Sequence, residues 1–160
     1  MTEYFDEETV RMAVGGCCHD FAIAVHRRTG WPIACIWLDP IRDEFSLSNE
    51  PAPLHVFCIA PNGQAVDVEG AEELDAAIAR YCRCAEERSM ARVEVHGAEQ
   101  DWERVSLERS TAMSLRPREH GIEAADKVIS DSQSFLELVR TLQSNELALS
   151  RSSVPQIVPV

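Results

Sequence analysis

The sequence predicts a mixed fold of helices and an antiparallel hairpin, and three observations carry that expectation. The block Phe21-Ala22-Ile23-Ala24-Val25, behind Gly15-Gly16-Cys17-Cys18, is apolar on every side of a helix, and such a helix belongs inside a protein. Two β-rich runs flank Pro61-Asn62-Gly63, and Asn-Gly between such runs is the strongest short-range hairpin signal. The second half of the chain then carries apolar residues at helical spacing. A chain of 160 residues is long enough for one domain with a real core and hardly long enough for two.

Residues 1–14 mix Val10, Met12 and Val14 with Glu7, Glu8 and Arg11, which predicts a short amphipathic helix terminated by Gly15-Gly16. A buried helix follows from Cys18 to Arg28, with Gly30 as its stop and Pro32 preventing its resumption. Ile33-Ala34-Cys35-Ile36-Trp37-Leu38 is continuous, β-branched and aromatic, so it reads as a central strand. Residues 41–53, with charges, serines, Pro51 and Pro53, read as a long surface loop able to border a cleft.

The hairpin is expected to run from Leu54 to Ala60 and to return over Gln64–Val68. Alternation puts His55, Phe57 and Ile59 on one face, and Ala65, Asp67 and Glu69 on one face of the return strand. Gly70 then introduces one helix over about residues 71–89, with Leu74, Ile78, Tyr81 and Ala85 as its buried stripe. Arg92–His96 alternates as a short strand, and Ala98–Leu107 reads as a helix around Trp102 and Val105. Residues 108–121 look irregular and Ile122–Ile129 helical. Ser130-x-x-Gln133 resembles a capping box, opening a helix with Phe135, Leu138, Val139 and Leu142 inward. The serine-rich stretch 144–160, ending in Pro-spaced valines, is expected to be an extended or frayed tail, which makes residues 1–143 the domain.

A net charge of −12, from 27 acidic and 15 basic side chains, opposes the phosphate contacts with which nucleic-acid and anionic-membrane binding begins. No apolar run approaches the roughly 20 residues of a membrane span, and the acidic N-terminus lacks a signal-peptide plan. The expected location is therefore the cytoplasm, with the six cysteines reduced. The expected partners are proteins or peptides, as substrate or otherwise, with neither nucleic acid nor membrane. Cys17, Cys18, His19 and Cys35, or Cys82-x-Cys84, supply no paired C-x-x-C framework, and Cys82 and Cys84 project about 200° apart on a helix. No metal or cofactor is expected.

Chemistry concentrates on Cys18, His55 and Asp67. A helix N-terminus favours thiolate over thiol and turns backbone N–H groups outward. Nucleophilic cysteine catalysis then needs an imidazole to hold and return the proton and a group to orient that imidazole. The Asn62-Gly63 turn lies nearly midway between His55 and Asp67, so the two are expected side by side on adjacent strands. Cys17 flanks the same helix start and competes with Cys18 as nucleophile.

Gly16-x-Cys18-x-Asp20-Phe21-Ala22, then His55-Val56-Phe57, then Asp67 resembles the transglutaminase-like, or papain-like, cysteine superfamily. Its pattern is G-x-C-x-D-[FY]-A on the catalytic helix, a histidine opening a strand and an aspartate on the next strand. The separations of 37 and then 12 residues fit that plan, and the resemblance covers roughly residues 15–70. Within that register Cys18 is the nucleophile and Cys17 lies one position outside. The resemblance implies an α+β fold, with the cysteine helix packed on an antiparallel sheet. It also implies amide chemistry through a thioester: proteolysis, deamidation, or amide or acyl transfer. Val56-Phe57 stands where Ala-Trp is common, and Asp67-Val68-Glu69 replaces the frequent Asp-Pro-Thr. The alternative is an inactive relative that kept the fold and uses its acidic surface as a protein-binding or inhibitor module.

Overall fold

The computed structural model describes residues 4–40, 51–109 and 118–152, the side chains of Val14 and of residues 145–152 excepted. Within them the fold is α+β. The helices are α1 (Glu7–Met12), α2 (Cys18–Thr29), α3 (Leu74–Tyr81), α4 (Ala85–Met90), α5 (Glu99–Arg109), α6 (Glu119–Asp131) and α7 (Gln133–Ser152). The strands are β1 (Ile33–Leu38), β2 (Ala52–Ile59), β3 (Ala65–Asp67), β4 (Gly70–Glu72) and β5 (Ala91–His96). They form one antiparallel sheet in the order β4-β3-β2-β1-β5.

Alternation along the strands divides the sheet into two faces. Cys35, Trp37, Val56, Cys58 and Val66 pack with Phe21–Val25 of α2 and with Ile122, Ile129, Phe135 and Leu142 of α6 and α7. Ala34, Ile36, Phe57 and Ala65 pack instead with Ala77, Leu74, Ile78 and Tyr81 of α3. Helix α2 is thus walled in by sheet and helices, which is why its apolar run shows no polar side. Tyr4, Phe5, Phe21 and Phe135 close one end of this layer, with ring centroids 5.1–5.9 Å apart. At the other end of α2, Arg27 bonds Glu99 of α5 and Glu119 of α6, each at 2.7 Å.

Several boundaries differ from the sequence reading. Gly15-Gly16 ends the first helix as expected, but the next begins at once. Between α1 and α2 the chain kinks within Ala13–Cys17, where Gly16 at φ 131° lies outside helical geometry, a conformation only glycine adopts freely. Strand β2 starts at Ala52, inside the expected loop; the remainder of that loop, 41–50, lies outside the described residues. The single helix expected over 71–89 is a strand and two helices. Gly70, at φ 121°, turns β4 back onto β3 so that Asp67 pairs with Gly70, and the chain is extended at Cys82. Ala85 therefore leaves the buried stripe and is exposed. Ser132, not Ser130, opens α7. Its hydroxyl accepts the Phe135 N–H at 3.3 Å, whereas Ser130 sits inside α6 and bonds the Asp126 carbonyl. Helix α7 also continues to Ser152, past the start of the expected tail, of which 153–160 lie outside the described residues. Residues 110–117 of the expected irregular stretch are likewise outside them, and α6 already begins at Glu119.

Candidate active site

Cys18, His55 and Asp67 converge where the first turn of α2 meets the sheet. Gly16, outside helical geometry, ends the preceding helix and lets a new one start with the cysteine pair, so Cys18 begins α2 as a half-buried residue. Cys17 is exposed beside it.

The hairpin places the imidazole and the carboxylate. The Ala60 N–H bonds the Gln64 carbonyl at 2.9 Å and the Gly63 N–H bonds the Ala60 carbonyl at 2.9 Å, with Gly63 left-handed at φ 87°. The resulting three-residue loop pairs Cys58 with Val66 and Ile59 with Ala65. Continued by one step, this register sets Phe57 opposite Asp67, so His55 is a diagonal neighbour of Asp67 on the same face and not directly opposite it. A diagonal pair of long side chains still meets: His55 Nε2 lies 2.8 Å from Asp67 Oδ2. Beside His55 the ladder slips. Ile36 pairs with His55 but Trp37 pairs with Pro53, leaving Leu54 as a bulge. Bulges re-aim neighbouring side chains and recur next to active sites. His55 here stacks on Tyr81 of α3.

Both partners are buried, His55 at 2% exposure and Asp67 at 6%. The Tyr81 ring stacks on His55 with centroids 3.8 Å apart, and its hydroxyl donates to Asp67 Oδ2 at 3.3 Å. Asp67 Oδ1 accepts the Glu69 N–H at 2.8 Å, and Arg80 reaches Oδ2 at 3.0 Å while also pairing with Glu69 and Glu72. The carboxylate is therefore fixed from several directions, and an orienting group must be fixed to orient anything.

Electrostatics follow from these contacts. Burial works to raise the Cys18 thiol pKa, but interactions with His19 and His55, the charge on His55 and a backbone contact at Val56 outweigh it, bringing the thiol down to about 6. Burial works against a charged His55, but its hydrogen bond with Asp67 and its contact with Cys18 outweigh that, raising the imidazole to about 9. Asp67 loses solvent too, yet the His55 bond and the charges of His55 and Arg80 hold its carboxyl below its ordinary value. Between about 6 and 9 the sulfur is a thiolate and the ring an imidazolium. Cys17 behaves oppositely: partial burial, then the charges of Asp20 and Cys18, raise its thiol.

Three neighbours are absent from the sequence-level triad. Tyr81 belongs to the expected apolar stripe, but nothing in that periodicity places it over His55. Arg80, beside it, carries no signal in the sequence. His19 sits next to Cys18 with 3% exposure, its Nε2 3.2 Å from Asp20 Oδ1. Its signal was a polar residue at the head of an otherwise apolar buried helix. Among the described residues no group of three or more His, Cys, Asp or Glu side chains is gathered where it could hold a metal ion, and no helix is long and apolar enough to cross a membrane. No protein-family model, curated protein or solved structure matches the chain.

Proposed function

We propose that the protein is a cysteine-dependent enzyme of transglutaminase-like type, acting on the amide carbonyls of a protein or peptide. The observation that carries this reading is His55, held by Asp67 at 2.8 Å on β3 and acting electrostatically on Cys18 at the start of α2. Cys18 Sγ attacks the carbonyl carbon, and the oxygen takes the negative charge at the helix N-terminus near residues 17–18, where backbone N–H groups stabilise it. The His55 imidazolium gives its proton to the leaving nitrogen, the C–N bond breaks, and a thioester on Cys18 remains. Water or an amine then attacks the thioester, His55 takes the incoming proton, and the thiolate leaves. Water yields hydrolysis and an amine yields transfer. Asp67 fixes the ring throughout and stabilises its charged form.

The test is acylation by an activated ester, followed at each cysteine by mass spectrometry. Cys18 in the wild type is expected to acylate rapidly, and Cys18→Ala, folded by circular dichroism, is expected to lose that phase. Equal acylation of the variant, or a Cys18 no faster than Cys84, contradicts the proposal. The latter outcome favours the acidic binding module instead.

A further inference from the structure

A second histidine adjoins Cys18 at the start of α2, and the triad does not use it. His19 is carried by the first turn of α2 beside Cys18 and is 3% exposed. Among the described residues neither of its ring nitrogens has a partner at good hydrogen-bond geometry, although both are buried. Buried polar atoms in that condition call for a reason. Its Nε2 lies 3.2 Å from Asp20 Oδ1, and Asp20 is itself 4% exposed and anchored. The Arg118 backbone N–H donates to Asp20 Oδ1 at 3.3 Å. Asp20 also fills the space over Gly121 in the first turn of α6, where a Cβ would stand 2.2 Å from Oδ2. The chain thus builds a second histidine–carboxylate pair: His55–Asp67 comes from the sheet, His19–Asp20 from the helix that bears the sulfur.

Resting on the reading of Cys18 as nucleophile, we propose that His19, backed by Asp20, is a second catalytic imidazole that holds the Cys18 thiolate as a charged partner. The thiol S–H breaks and its proton is carried by imidazole nitrogen, so total charge is unchanged. With both imidazoles acting on Cys18, His55 can release its proton to a leaving group while His19 stays cationic. The groups acting on His19 are Cys18 and Asp20 on its own helix, with burial opposing its charge, and together they raise it to about 9. His55 on β2 acts on the shared sulfur, and the Arg118 charge at the head of α6 acts on Cys17.

Two roles separate in the laboratory. Alkylation by iodoacetamide, quantified at Cys18 by mass spectrometry across pH 4–10, reports thiolate; ester turnover reports proton transfer. The wild-type alkylation midpoint is expected near 6. His19→Gln, which keeps size and an N–H but no titratable charge, is expected to move it up by about one pH unit, a tenfold loss of thiolate on the acid side. His55→Gln, which removes the other ring, is expected to abolish turnover while leaving the midpoint below that of an ordinary thiol. An unshifted midpoint in His19→Gln overturns the inference while leaving the proposed function intact. A wild-type midpoint in the ordinary thiol range overturns the proposed function itself. Should His19→Gln fail to fold, the His19 ring is titrated by NMR in wild type and in Cys18→Ser. Loss of the thiolate is expected to lower the His19 pKa, and an unchanged value overturns the inference.

Discussion

Two thiols lie along the same face of α2 and have opposite fates. Cys58 on β2 donates to the Ala22 carbonyl at 3.1 Å, one helical turn beyond Cys18, and is fully buried. Burial pushes its thiol far above the ordinary range, and a backbone interaction at His26 offsets little of that. Cys18 also loses solvent, yet two histidines and a backbone interaction at Val56 reverse the outcome. Burial does not separate a structural cysteine from a reactive one; the charge that accompanies burial does.

That contrast can be broken from either side. The largest effect belongs to Cys18→Ala, which should reduce ester turnover by about 10³-fold or more, since no other thiol on α2 can replace it. Asp67→Asn comes next. It keeps the shape but loses the charge that holds His55 cationic and correctly turned, and turnover should fall by about 10²–10⁴-fold with the fold retained by circular dichroism. Gly121→Ala forces a Cβ into Asp20, and should cost about 1–3 kcal/mol in a urea melt. Cys58→Ala is the smallest change. It leaves a small cavity and takes one of the donors from the Ala22 carbonyl, lowering stability by about 1 kcal/mol and leaving turnover unchanged. A turnover loss there as large as for Cys18→Ala would remove the distinction between the two sulfurs.

Much of this architecture was legible in the sequence, for a physical reason. The apolar run Phe21–Val25 and the strand Ile33–Leu38 are strong because they are buried on all sides, and both elements stand where their composition puts them. The Asn62-Gly63 turn carried the hairpin. Elements set by tertiary contact were not legible. The return of β4 depends on Gly70 adopting φ 121° against Tyr4, and the start of α7 depends on Ser132, whose hydroxyl also donates to the Tyr4 carbonyl at 2.7 Å. At the site, residue order and turn position led to Cys18, His55 and Asp67. The exact pairing step did not follow, because loop length shifts the register by a residue. Tyr81 and Arg80 reach Asp67 only after α3 folds over the sheet, and local pattern holds no record of that.

The pH dependence of Cys18 acylation tests the central claim most directly. A thiolate–imidazolium pair acts only while the sulfur is deprotonated and His55 is protonated. Turnover should therefore rise as pH passes about 6, where the thiol loses its proton, and fall as pH passes about 9, where the imidazolium loses its own. A bell with those limbs is the expected result. A single rise near pH 8.5, about the value of an unperturbed thiol, with no acid-side activity, would contradict the account.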